Sequence, residues 1–329
     1  MGAEDHRGKI SFMKKLLGKI AIFGFGSQGQ AQALNLRDSG QYVTIALREK
    51  SSHRRLAKKL GFSVVSFSEA TTENDTLVML ISDMSQPEVF EKHIKPNLRP
   101  GQTLIFAHGF NIHFKTILPP KDLNVLLVSP KGGPGPMVRS YYQQKKGIVM
   151  LFAIHQDFTG NALTIAEAYA YAVGSKKKLL IPSSFQEETE TNLFGEQTVL
   201  CGGVSNLILM AFETLVKAGY RPEAAYFETL HELKLVVDIL YKGGFEHMRK
   251  SISQTAQWGD YSVGSEIFTK ENRQKFSKIL KNVQTGKFAA QWLKEYQSGL
   301  KKFSRYQNIR ESHLIEKVGK KMRKQMGIE

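Results

Sequence analysis

Six apolar runs of strand length recur through the first half of the chain, and they constrain its fold more than any other feature. They are KIAIFGFG (19–26), QYVTIAL (41–47), DTLVMLIS (75–82), GQTLIFAHG (101–109), NVLLVSP (124–130) and GIVMLFAIH (147–155). Each carries β-branched residues, and the hydrophobicity is continuous rather than alternating. Strands read this way when both faces are covered, because neither face meets water. Between several of them lie helical patterns that close on glycine, QAQALNLRDSG and SSHRRLAKKLG. Glycine just past the last helical turn is a stop signal. Repeated β-α units of this size predict an α/β fold with a doubly wound parallel sheet.

The second half has a different pattern. From about Ser183 onward, long helical patterns replace the strand-like runs. In GYRPEAAYFETLHELKLVVDILYKGG the apolar residues recur three and four apart. Pro222 suits the first position of that helix and Gly243-Gly244 its end. A boundary near Ile181-Pro182 divides the chain into a nucleotide-binding domain, 1–182, and an all-helical domain, 183–329. At 329 residues there is room for two domains, and 41% hydrophobic residues can fill their cores.

Composition restricts the environment. The one cysteine, Cys201, excludes an intramolecular disulfide and fits a reducing compartment. The basic N-terminus runs into an apolar stretch that breaks at Gly24 and Gly26, so it reads as strand and turn rather than a signal peptide. No apolar stretch of about 18 residues is evident. His6 stands where a myristoylation signal after Met1-Gly2 wants Ser or Thr. The expectation is a cytoplasmic protein without a membrane partner. The net charge of +16 comes from scattered residues: Lys14, Lys15, Lys176 to Lys178, Lys301, Lys302 and KVGKKMRK at 317–324. No nucleic-acid motif accompanies them, so no nucleic-acid partner is expected. The same positive field attracts anionic small molecules.

Gly24-Phe25-Gly26-Ser27-Gln28-Gly29 is a GxGxxG between a predicted strand and a predicted helix, the context in which that pattern binds a dinucleotide. Gly24 permits the tight turn, Gly26 lets the backbone approach a pyrophosphate, and Gly29 lets helix and strand pack closely. Ser27 and Gln28 open the helix whose N-terminus attracts anions. The first domain is therefore expected to be Rossmann-like. After the second strand, an NAD site usually places an acid for the ribose hydroxyl. Here Arg48, Ser51, Ser52 and Arg54 could grip a 2′-phosphate, with Glu49 the one opposing residue. NADPH is the expected cofactor.

Two pairs spaced four apart carry oxygen donors in the second half, Asn192 with Glu196 and Glu228 with Glu232. On helices each pair projects from one face. Four such side chains can enclose one or two hard cations, and magnesium prefers oxygen ligands. From Glu228 and Glu232 alone, a surface carboxylate pair balanced by Lys234 or His231 is the better reading.

Taken together, GFGSQGQAQALNLRDSG, AHGFNIHF, PKGGPGPMVR, EETETNLFGEQTVLCGG, YFETLHELKLVVDILYKGG and MRKSISQTA give a sequence that resembles ketol-acid reductoisomerase, in order and over nearly the whole chain. The length suits the family's short form. The resemblance implies an NADPH- and magnesium-dependent enzyme of isoleucine and valine biosynthesis. Its small-molecule substrate is 2-acetolactate or the ethyl analogue, rearranged by alkyl migration and then reduced. It implies two metal ions between the Rossmann domain and a helical, knotted domain. It also implies a homodimer or multiple of dimers, with Glu228, Glu232 and Ser253 supplied by the partner subunit. By motif, Asn192, Glu196, Glu228 and Glu232 fall at metal positions, and Ser253 at the substrate carboxylate. His108, Lys131 and Glu232 fall at the reacting centre, Glu232 as a proton relay. His113 and Cys201 are expected to be structural.

The sequence also departs from the family. Asn192 stands where the family has an aspartate that bridges both metals, and a neutral amide bridges cations poorly. Gln30 and Pro136 replace usual histidines, the PKGGPG run carries an extra glycine, and Gln254 and Gln257 stand where acids are common. Two expectations follow. One is a ketol-acid reductoisomerase with an altered metal site. The other is a derived NADPH reductase of another keto acid or imine that has lost the isomerase step. A non-catalytic role is opposed by the intact Gly24, Gly26, Gly29, His108 and Lys131.

Overall fold

Along the first strand, β1 (Ile20–Phe23), side chains alternate between two separate cores. Ile20 and Ile22 enter one, and Ala21 and Phe23 the other. The same division holds in β4 (Thr76–Met79), β5 (Thr103–Phe106) and β6 (Asn124–Pro130). Val78, Ile105, Leu126 and Val128 lie on the first face; Leu77, Met79, Leu104, Phe106, Val125 and Leu127 lie on the second. Covering both faces is what the continuous hydrophobicity demands.

The computed structural model describes residue 8 and residues 12–328. The myristoylation reading at Met1-Gly2 lies outside the described residues. The chain divides into two compact units, Met1–Thr189 and Glu190–Glu329. The first holds an eight-stranded sheet in the order β3-β2-β1-β4-β5-β6-β7-β8, where β2 is Val43–Ala46, β3 Ser63–Val65, β7 Met150–Gln156 and β8 Leu180–Pro182. The chain steps outward from β1 to β3, then returns to the other side of β1 with β4. Such a reversal opens a ligand crevice beyond the carboxyl ends of the strands.

The sheet is not wholly parallel. β7 pairs antiparallel with β6, and β8 pairs parallel with β7, so the last two strands run against the rest. Neither β3 nor β8 is apparent as a strand-like run. Both are three residues long and none of their residues is fully buried, so neither carries a continuous apolar signal. Pro182, which lacks a backbone N–H, is tolerated because β8 is an edge strand. The sequence-derived boundary at Ile181-Pro182 falls in this strand.

The second unit is helical. Its main helices are Gly202–Lys217, Glu232–Ser251, Gln254–Ile267, Lys270–Gln284, Lys287–Gln297, Lys301–Glu311 and Leu314–Gln325. Pro222 opens the short helix Pro222–Tyr226 as expected, and Gly244 breaks Glu232–Ser251 with a φ of +76°. Among the described residues its one buried apolar cluster is small, Phe212, Ala225, Tyr226, Ile315, Val318 and Met322, with Val283 and Ala289 buried outside it. Large apolar side chains remain exposed, among them Leu200, Met210, Tyr241, Phe245 and Trp258. The helical run Phe185–Lys217 is long and apolar enough to cross a membrane by length and composition. This corrects the expectation that no such stretch exists. Its glutamates Glu187, Glu188, Glu190 and Glu196 are gathered at its start and precede the mainly apolar remainder.

Candidate active site

The GxGxxG turn is built from close contacts. Gly24 leaves β1 with a φ of +107°, and a Cβ there would lie 2.7 Å from the Leu80 carbonyl oxygen. A Cβ on Gly29 would lie 2.6 Å from the Gly24 carbonyl oxygen, whereas a Cβ on Gly26 would meet nothing within 4 Å. Packing thus requires Gly24 and Gly29, whereas Gly26 faces open surface. That surface sits at the N-terminus of the helix Ser27–Asp38, where no side chain caps the first turn. Uncapped N–H groups and the positive helix end suit a pyrophosphate.

Ser27 and Gln28 have a second task. The Gly135 N–H donates to the Ser27 hydroxyl at 2.9 Å, and the Gln28 amide donates to the Gly133 carbonyl at 3.0 Å. A Cβ on Gly135 would come within 1.9 Å of the Ser27 carbonyl oxygen. The extra-glycine loop after Lys131 is therefore pressed onto the GxGxxG turn. Gln30 donates to the Phe25 carbonyl at 2.9 Å and braces the same turn.

Around the second strand, the four basic and hydroxyl candidates separate. The Arg54 guanidinium donates to the carbonyls of Leu47 at 3.0 Å and Val64 at 3.3 Å, tying the ends of β2 and β3 together. The Ser51 hydroxyl accepts the His53 N–H at 3.3 Å and helps start the helix His53–Lys59. Arg48 and Ser52 are exposed, as is Glu49.

His108 and Lys131 follow the carboxyl ends of β5 and β6. A residue outside the expected catalytic set joins their segments. The Glu188 carboxylate, 1% exposed, accepts the Gly109 N–H at 2.8 Å, the Ser129 hydroxyl at 2.9 Å and the Lys131 ammonium at 2.7 Å. A buried carboxylate is stable only with such partners. Gly109 permits the approach, since a Cβ there would lie 2.4 Å from the Thr189 hydroxyl oxygen. His108 bonds through Nδ1 to Asp83, 2.8 Å away, just after β4. Asp83 carried no motif signal of its own.

The oxygen-donor pairs lie where the helices widen. Asn192 belongs to the helix Phe185–Gly195, but Glu196 begins a π-helical turn, Glu196–Leu200. Glu228 lies in a second π-helical turn, Phe227–His231, and Glu232 follows it. The spacing of four therefore does not describe one regular α-helical face in either pair. Such turns are rare and recur at functional sites. Asn192 is half-buried; Glu196, Glu228 and Glu232 are exposed. Among the described residues of one chain, no three His, Cys, Asp or Glu side chains form a metal cluster. The donors are nonetheless all oxygens, which fits a hard divalent cation. Ser253 accepts the Ala256 N–H at 3.1 Å and caps the helix Gln254–Ile267. The His113 ring lies tilted against Phe114 with centroids 4.6 Å apart, and Cys201 is exposed.

Residues 15–178 match the acetohydroxy acid isomeroreductase NADPH-binding domain, and residues 185–328 match the ketol-acid reductoisomerase C-terminal domain. The chain belongs to the ketol-acid reductoisomerase family. An NADH-preferring ketol-acid reductoisomerase from an uncultured archean is 40% identical, with a TM-score of 0.92 and 96% of each chain covered. A semialdehyde dehydrogenase NAD-binding protein from Cupriavidus necator is 20% identical with a TM-score of 0.62, over 81% of this chain and 98% of that one. A pyrroline carboxylate reductase from Plasmodium falciparum is 15% identical with a TM-score of 0.51, over 81% of this chain and 97% of that one. The last two likenesses are of fold alone.

As a ketol-acid reductoisomerase the protein is a nicotinamide-dependent oxidoreductase of branched-chain amino-acid biosynthesis. The expected parallel-dominated sheet and helical second half are those of the family. The alternative of a reductase that has lost the isomerase step is not favoured, because both domains match and the 40% identical relative is itself a ketol-acid reductoisomerase.

Proposed function

We propose that the protein rearranges 2-acetolactate by methyl migration and reduces the product with NADPH, using magnesium bound by Asn192, Glu196, Glu228 and Glu232. The observation that carries this reading is the buried Glu188 carboxylate, which gathers the segments of His108 and Lys131. Migration requires a deprotonated tertiary alcohol and a polarised ketone. Magnesium, when bound, lowers the pKa of the alcohol and stabilises the developing oxyanion. NADPH supplies the hydride that reduces the rearranged ketone. Lys131, held by Glu188, provides a fixed positive charge for an anionic substrate. His108 offers an imidazole to the reacting oxygens, and Glu232 relays the alcohol proton. The Ser253 hydroxyl keeps its own proton while it caps its helix, so it can donate to the substrate carboxylate.

The choice of NADPH rests on Arg48 and Ser52, which stand exposed after β2. The opposing reading, NADH, draws on Arg54 being occupied by carbonyls and on the exposed Glu49. It also draws on the NADH preference of the archaeal relative. A homodimer, or a multiple of dimers, is supported by the exposed apolar side chains over a small core in the helical unit. The same surface supports a second copy over a membrane, because Glu196, Glu213 and Lys217 are spaced along the apolar run. A reducing, cytoplasmic setting agrees with the single exposed thiol.

The test is the fate of the migrating carbon. With 2-acetolactate labelled in its C2 methyl, the label is expected on C3 of the dihydroxy acid product. A product that keeps the label on C2 would rule out migration. Light scattering that finds an active monomer at micromolar concentration would contradict the dimer.

A further inference from the structure

We infer that Asp83 is a positioning residue that sets the tautomer of His108, and that it stands at the end of a hydrogen-bond relay with one fixed direction. The relay runs through three more side chains. Thr116 donates its hydroxyl to Asn111 Oδ1, and Asn111 Nδ2 donates to Gln86 Oε1 at 2.9 Å. Gln86 Nε2 donates to Asp83 Oδ1 at 3.3 Å, and Asp83 Oδ2 faces His108 Nδ1 at 2.8 Å. Gln86 is 3% exposed and Asn111 fully buried, so the middle of the relay is shielded from water.

Its direction follows from the partners. A backbone carbonyl only accepts, so the group facing one must be an amide N–H. Asn111 Nδ2 faces the Asp83 carbonyl at 3.0 Å, and Gln86 Nε2 faces the Ile81 carbonyl at 3.0 Å. Both amides are therefore locked against a flip. An ionised carboxylate also only accepts, so His108 Nδ1 must carry the proton. With Nδ1 protonated, the neutral form of the ring has its acceptor at Nε2. Fixing one ring nitrogen by a bond to the other is how a histidine is tuned for proton transfer. The catalytic consequence rests on the reading of His108 as an active-site group.

The relay makes Asp83→Asn informative. Gln86 still donates at the Oδ1 position and holds the new amide oxygen there. The amide nitrogen then turns its N–H to His108 Nδ1, which must become the acceptor, and the ring proton moves to Nε2. The experiment uses the full-length enzyme labelled with ¹⁵N-histidine, with His108→Gln to assign the ring signals. Long-range ¹H–¹⁵N correlation is expected to find Nδ1 protonated in the wild type and Nε2 protonated in Asp83→Asn. The turnover number of Asp83→Asn is expected to fall by about 10²–10⁴-fold, as when a catalytic histidine is held in the wrong tautomer, with KM changed by less than about threefold. Gln86→Leu with Asp83 intact is expected to keep the Nδ1 tautomer. Asp83→Asn with Gln86→Leu frees the amide to rotate and is expected to recover part of the Nδ1 form. Wild-type His108 protonated on Nε2 overturns the proposal, and this holds even where the variants do not fold. An unchanged tautomer in Asp83→Asn overturns it as well. A switched tautomer with unchanged turnover leaves the relay standing and overturns the active-site reading of His108.

Discussion

The Lys131 ammonium lies 2.7 Å from the Glu188 carboxylate, which is 1% exposed, while the Lys131 side chain is 29% exposed. The acid cluster of residues 187–196 is therefore not one unit. Glu188 balances Lys131 and organises the strand ends.

Removing the lysine tests that division. Lys131→Met takes the ammonium away from a buried carboxylate that also accepts from Gly109 and Ser129. Breaking one side of a buried pair costs about 3–5 kcal/mol, and partial exposure of Lys131 points to the lower end, about 3 kcal/mol. Urea denaturation should record that loss. Lys131→Met combined with Glu188→Gln should recover part of the stability but none of the turnover.

Two glycine variants separate packing from ligand approach. Gly135→Ala forces a Cβ against the Ser27 carbonyl, so both folded stability and dinucleotide affinity should fall. Gly26→Ala meets no neighbour, so its melting temperature should shift by less than about 2 °C. Its dinucleotide affinity should still drop by about tenfold or more, because the methyl occupies the pyrophosphate approach. Calorimetry and fluorescence titration measure the two quantities independently.

Arg48 and Arg54 should part in the same way. Arg54→Ala removes a tie between β2 and β3 and should lower stability by about 1–2 kcal/mol, with little change in the ratio of NADPH to NADH affinity. Arg48→Ala should leave stability within about 0.5 kcal/mol and reduce that ratio by about tenfold. Equal ratios for wild type and Arg48→Ala would favour the NADH reading.

Asn192→Asp restores a negative charge with almost no change of shape. At contact with a divalent ion such a charge is worth several kcal/mol even at a generous effective dielectric. Magnesium affinity, measured by calorimetry on the substrate-free protein, should rise by about tenfold or more, and turnover of 2-acetolactate with it. Unchanged affinity would mean that Asn192 belongs to a site adapted to an uncharged ligand.

Local chemistry explains which parts of this enzyme were legible in its sequence. Buried strands, the GxGxxG turn, Pro222 and Gly244 leave signals in consecutive residues, because hydrophobic runs and backbone geometry are local properties. The antiparallel turn of β7 leaves none, since strand direction depends on how the preceding segment packs. β3 and β8 are too short and too exposed to show continuous hydrophobicity. The Glu188–Lys131 and Asp83–His108 pairs join residues 57 and 25 positions apart, so only the folded sheet brings them together. Arg54 read as a phosphate ligand from its charge and its place after the second strand; its bonds to two carbonyls depend on how β2 and β3 lie together. The π-helical turns at Glu196 and Phe227 change the face that a spacing of four projects from.

The most direct test compares two substrates. NADPH oxidation is followed with 2-acetolactate, which must migrate before reduction, and with 3-hydroxy-3-methyl-2-ketobutyrate, which needs reduction alone. Both should be consumed. The first should require magnesium and turn over more slowly, because migration depends more heavily on a metal, and the proposed metal site carries the neutral Asn192. Turnover of the ketobutyrate alone, with no oxidation of NADPH by 2-acetolactate at any magnesium concentration, would contradict the assignment as an isomeroreductase.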